Sequence, residues 1–110
     1  MYARVARFEG IAPDRVDEQV AAMEQQVRDA RAGNLPEDAS EDVQTLVETV
    51  TRFLYLVDRE KGTGLGISFT DSKEKMRRAD AAMNAMNPAP EDGRRTGVEI
   101  YEVAMDGVFA

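Results

Sequence analysis

Apolar and polar positions alternate through residues 2–9, with Tyr2, Val5 and Phe8 set among Arg4, Arg7 and Glu9. That period predicts a first strand. Residues 10–13 turn the chain, and Pro13 suits a first helical turn, where its missing N–H costs nothing. Val16, Val20, Met23 and Val27 then recur at spacings of four, three and four, one apolar stripe of a helix over 14–32. Asp14, Asp17 and Glu18 crowd its start and Arg28 and Arg31 its end, as the helix dipole favours. Gly33 and Asn34 supply the stop.

Residues 35–40 form a polar loop, and Val43, Leu46 and Val47 fit one face of a short helix over 41–48. Residues 50–59 predict a second strand whose centre, 53–57, is apolar at both parities, the mark of burial on two faces. A turn over 60–64 leads to a third strand at 65–70, where Gly66 and Ser68 alternate with large residues. Small side chains at one parity let a backbone or a ligand approach closely. Asp71 and Glu74 have capping-box spacing for a second long helix, with Met76, Ala79, Met83 and Met86 as its buried stripe. Asn87 and Pro88 to Pro90 end it, because proline cannot continue a helix. A charged loop over 91–95 precedes a fourth strand at 96–105, and 106–110 form a tail.

Strand, helix, strand, strand, helix, strand is the ferredoxin-like βαββαβ order, an α+β fold with a four-stranded antiparallel sheet and its helices on one face. The whole chain, 1–110, reads as a single domain with residues 34–48 as an insertion. The opposite sheet face is left bare. Strand two is apolar on both faces, and strand four offers Val98 and Ile100 at one parity and Tyr101, Val103 and Met105 at the other. An apolar face of that extent calls for a partner, and the commonest closed solution is a two-fold homodimer through the open face.

Composition narrows the chemistry. The 110 residues carry a formal charge of −7 and contain no Cys, His or Trp. Without a basic face, nucleic-acid binding is not expected. The doublets at 77–78 and 94–95 read as a solvated helix face and a polar loop. No apolar run is long enough to span a membrane, and neither a leader nor a cysteine is evident, so the expected location is the cytoplasm. Thiol nucleophiles, histidine bases and haem ligation by histidine are excluded. No metal site and no cofactor are expected.

The segments 2–8, 58–69, 71–74 and 98–103 resemble the dimeric α+β barrel superfamily, and within it small domains similar to the antibiotic biosynthesis monooxygenase family. The resemblance covers the chain apart from 34–48. It implies a homodimer and a pocket between sheet and helices. That superfamily includes cofactor-independent monooxygenases of hydroxylated aromatics and quinols, haem-degrading enzymes, isomerases and members of unknown role. Haem degradation by a histidine ligand and a tryptophan has no residues to perform it here. For an oxygenase, Tyr55, Tyr101, Arg52 and Asn84 are the candidate catalytic residues, because a phenol must be held and deprotonated and an arginine favours the phenolate. Tyr2, Arg4 and Met83 are the candidate ligand-binding residues. Each also has a plain structural reading: amphipathic tyrosines, snorkelling arginines, a surface helix asparagine and a core methionine. The leading expectation is therefore an uncharacterised dimeric domain that binds a small apolar or aromatic ligand, with the cofactor-independent monooxygenase as the alternative.

Overall fold

The computed structural model describes residues 1–87 and 92–110. It contains β1 (Tyr2–Glu9), a 3-10 turn (Pro13–Arg15), α1 (Val16–Arg31), α2 (Glu41–Thr49), β2 (Val50–Asp58), β3 (Thr63–Thr70), α3 (Lys73–Asn84) and β4 (Arg94–Glu102). The strands form one antiparallel sheet in the order β2-β3-β1-β4. This α+β arrangement is consistent with the ferredoxin-like order, with α2 as an added helix.

Several expected boundaries move, each for a local reason. The first helix begins after a 3-10 turn led by Pro13 and ends at Arg31, where Gly33 at φ 73° lets the chain turn and Asn34 N–H reaches the Asp29 carbonyl at 2.8 Å. The short helix runs to Thr49 and is capped by the Ser40 hydroxyl, which accepts from Val43 N–H. For α3 the cap is Ser72, not Asp71: its hydroxyl accepts from Lys75 N–H at 3.2 Å. Ser72 satisfies an orphan N–H of the first turn, which the carboxylate one residue earlier does not. The helix stops at Asn84, so Met86 falls off the expected stripe and is exposed. Arg95 donates to the carbonyls of Met83 and Met86 at 3.0 and 3.2 Å, so a guanidinium caps that end. The expected stop at Pro88 and Pro90 lies outside the described residues, as does Glu91. The fourth strand ends at Glu102, leaving Val103 and Met105 beyond it.

The register assigns every strand side chain to a face. On the helix side, successive rows read Phe53, Ser68, Arg4, Ile100, then Tyr55, Gly66, Ala6, Val98. Arg4 bonds to α3 and Tyr55 to Gln19 of α1, which places both helices over this side. The other face reads Arg52, Phe69, Ala3, Tyr101, then Leu54, Ile67, Val5, Glu99, then Leu56, Leu65, Arg7, Gly97. Strand two is thus apolar on two faces because it serves both: Phe53, Tyr55 and Val57 under the helices, Leu54 and Leu56 away from them.

The buried apolar core is small. It consists of Ala3, Ala6, Ile11, Val16, Met76, Ala79 and Ala82. Helix α3 lies close on β1 and β3, and α2 stacks on α3. Helix α1 approaches no strand as closely, and its stripe opens along its length, from buried Val16 through half-buried Val20 and Met23 to exposed Val27. The hairpin between β2 and β3 is tied back by Ile11 N–H, which donates to the Gly62 carbonyl at 2.9 Å. Gly62 sits at φ 66°, and a Cβ there would meet the Ile11 carbonyl oxygen at 2.9 Å, so only glycine fits this approach.

Candidate functional site

The helix side of the sheet gathers a specific group of side chains. Arg4 is 3% exposed. Its guanidinium donates from Nε to Asp80 Oδ1 at 2.9 Å, from Nη1 to Met83 Sδ at 3.2 Å and from Nη2 to Asn84 Oδ1 at 2.9 Å. The Ser68 hydroxyl reaches the same sulfur at 3.6 Å. Asp80, Met83 and Asn84 face Arg4 together because three- and four-residue spacings share one side of a helix. Three of the candidate residues, Arg4, Met83 and Asn84, therefore meet. Tyr2 lies on the same side but opens onto an edge cleft of about 640 Å³ between α3 and β4, lined also by Met76, Arg77, Asp80, Ile100 and a second candidate, Tyr101.

Next to this cluster the small residues of β3 form a floor. A Cβ on Gly66 would meet the rings of Phe53 and Phe8, each at 3.5 Å, and one on Gly64 would meet the Leu56 carbonyl oxygen at 2.9 Å, Ile11 Cδ1 at 3.0 Å and the Tyr55 ring at 3.5 Å. The rings of Phe8 and Phe53 therefore pack over Gly66, and those of Tyr55 and the Ile11 side chain over Gly64, an aromatic layer that the small residues of β3 let lie close on the sheet. Phe53 stays 42% exposed although it points to the helix side, because α1 does not close over it. The Tyr55 hydroxyl donates to Gln19 Oε1 at 3.1 Å. Burial, and then the charge of Asp92, hold its phenol above the usual tyrosine range.

Arg52 and the Tyr101 hydroxyl lie toward the other face. Arg52 stands on the opposite face with its guanidinium 5.7 Å from the centre of the Phe69 ring. Tyr101 is on that face too and donates its hydroxyl to Glu99, which also accepts from Arg7 Nε at 2.9 Å. The Tyr101 hydrogen bond, and then Arg7, keep the Glu99 carboxyl below its ordinary range, and Glu99 in turn pushes the Tyr101 phenol up. A shallow cleft of about 470 Å³ opens on the same face, lined by Arg7, Leu56, Asp58, Leu65 and Thr96. Tyr55 therefore stands apart from Arg4 and Arg52, while Tyr101 meets Arg7 through Glu99.

Asp80, Ser68, Phe8 and Phe53 were not among the expected site residues. The spacing of Asp80 and Asn84 on one helix was the available signal. It becomes legible once Arg4 is known to point toward the helices. Among the described residues, no group of three or more acidic, Cys or His side chains could hold a metal ion, and no helix is long and apolar enough to cross a membrane. No family model matches the chain, and neither a curated protein nor a solved structure matches it.

Proposed function

We propose that this chain is a homodimeric domain of the dimeric α+β barrel kind that binds a small apolar or aromatic molecule between β3 and α1. The observation that supports the ligand reading is the aromatic layer of Phe8, Phe53 and Tyr55 over Gly64 and Gly66, in which Phe53 stays 42% exposed, so that displacing its ring would open the glycine surface of β3 to an aromatic molecule. Binding sites for small molecules are concave, mostly apolar and furnished with a few placed polar groups. The adaptable Met83 thioether and the Arg4 guanidinium are those groups here.

Pairing is supported by the other sheet face. Leu54, Leu56, Leu65, Ile67, Phe69 and Val5 make one apolar patch there, bordered by Arg52, Asp58, Arg7 and Glu99. A core built largely from alanine leaves the protomer short of buried area, and a second copy on that patch supplies it. The monooxygenase alternative needs a phenol-binding group of Tyr and Arg. Placement of Tyr101 and Arg52 on the paired face gives it less support than the binding reading.

The chain has no tryptophan, so Phe53→Trp creates a single fluorescent reporter at the opening. Titration with a naphthol or anilinonaphthalene probe should quench or blue-shift that emission with saturation. Adding Gly66→Val fills the floor and should abolish the response while the circular dichroism stays unchanged. A flat titration with Phe53→Trp, or an equal response with Gly66→Val, contradicts the site.

A further inference from the structure

The segment 103–110, which follows β4, is apolar and stands away from its own protomer. Met105, Val108 and Phe109 are 81%, 87% and 105% exposed. A Cβ added at Gly107 would meet only the Met105 methyl, at 3.7 Å, and no atom from the rest of the domain. The segment's start is nevertheless held. Val103 N–H donates to the Met1 carbonyl at 2.9 Å, which carries the β1–β4 ladder one step beyond the strand. It therefore leaves at the rim of the bare face, beside the row of Arg52, Phe69, Ala3 and Tyr101.

We infer that this segment is an arm that packs on a second copy of the chain and completes the interface between the two sheets. The inference rests on the pairing proposed above, and area argues for it. Four strands at ~4.8 Å and eight residues at ~3.4 Å give the bare face roughly 500 Å². A stable interface of standard size takes about 800 Å² from each partner. The sheet footprint is flat, and side-chain relief raises its accessible area, so the face sits at the small end of standard interfaces and gains from further apolar cover. One phenylalanine buries about 150–250 Å², and Met105 and Val108 add to it. Seven residues from Val103 to Phe109 reach at most ~25 Å. That is enough to cross the opposing sheet. Asp106 is the one charged side chain in the segment, and its carboxylate stays hydrated at the edge of the contact while Met105, Val108 and Phe109 are covered.

The cysteine-free chain makes Phe109→Cys a unique attachment point for a benzophenone photo-crosslinker. Mixing isotope-labelled and unlabelled chains separates crosslinks within a chain from those between chains. Crosslinks between chains are expected, and so is a weakening of the dimer by about 10-fold or more when the chain is ended after Glu102. Crosslinks confined to one chain, or a dimer Kd unchanged by the truncation, overturn the arm and leave sheet pairing standing. A full-length chain that stays monomeric in the same sedimentation series overturns both. Circular dichroism of the truncated chain, expected to match the full one, guards against a folding defect.

Discussion

Removing the carboxylate of Asp80 strands the Arg4 charge. Arg4 is 3% exposed, and Asp80, at 2.9 Å, is its only acidic partner among the described residues. Breaking a fully buried pair by deleting one member costs about 3–5 kcal/mol, because the survivor keeps its desolvation penalty. Here the Asp80 side chain is 28% exposed, so water screens part of the attraction, and Asn84 Oδ1 still accepts from Nη2 at 2.9 Å. Asp80→Ala should therefore cost about 2–3 kcal/mol, or a fall in Tm of roughly 10–15 °C. Arg4→Met removes the charge and fills much the same space, and Asp80 is free to hydrate, so its cost should stay within about 1 kcal/mol. The double variant should recover most of the Asp80→Ala loss, a coupling of about 1.5–3 kcal/mol. Urea unfolding at one fixed protein concentration measures all three, with constant m as the check on two-state behaviour. A loss below about 1 kcal/mol for Asp80→Ala, the range of an exposed pair, would refute this account of the cluster.

Ser72→Ala should cost about 1 kcal/mol through the lost cap of α3, while Asp71→Ala should leave stability within about 0.5 kcal/mol; chemical unfolding separates the two. Gly62→Ala forces a Cβ against the Ile11 carbonyl at positive φ and should cost about 1–3 kcal/mol in the same assay. The phenol of Tyr55 is held above the ordinary value of 10.0, so the folded state keeps a proton that the unfolded state has lost. That stabilisation is fully present below pH 10 and is lost as pH rises through the folded value. Tyr55→Phe should flatten this alkaline decline, seen as a smaller change in unfolding free energy between neutral and strongly alkaline buffer.

The order of strands and helices was legible because each element keeps its own period: alternation in β1, spacings of three and four in α1 and α3. The bare face followed from β2, where Phe53 and Leu54 cannot point the same way. Which parity faces the helices was not legible, because β2 is apolar at both. That one unknown hid the site. Arg4 reads as a snorkelling surface residue until the register turns it under α3 toward Asp80 and Asn84. Arg52, two residues before Leu54, shares its parity and falls on the opposite face. The stripe of Met76, Ala79, Met83 and Met86 ran one residue pair too long, since a guanidinium from β4 caps the helix after Asn84. That contact joins residues 12 apart across a loop and leaves no local signature.

Sedimentation equilibrium of the full chain over a micromolar concentration series tests the pairing of two bare sheets most directly. The account predicts a mass of about 24 kDa, twice the 12.2 kDa chain, falling to a monomer when Ile67→Lys sets a charge at the centre of the apolar face. A single species of 12.2 kDa at every concentration, or a dimer indifferent to Ile67→Lys, would contradict it.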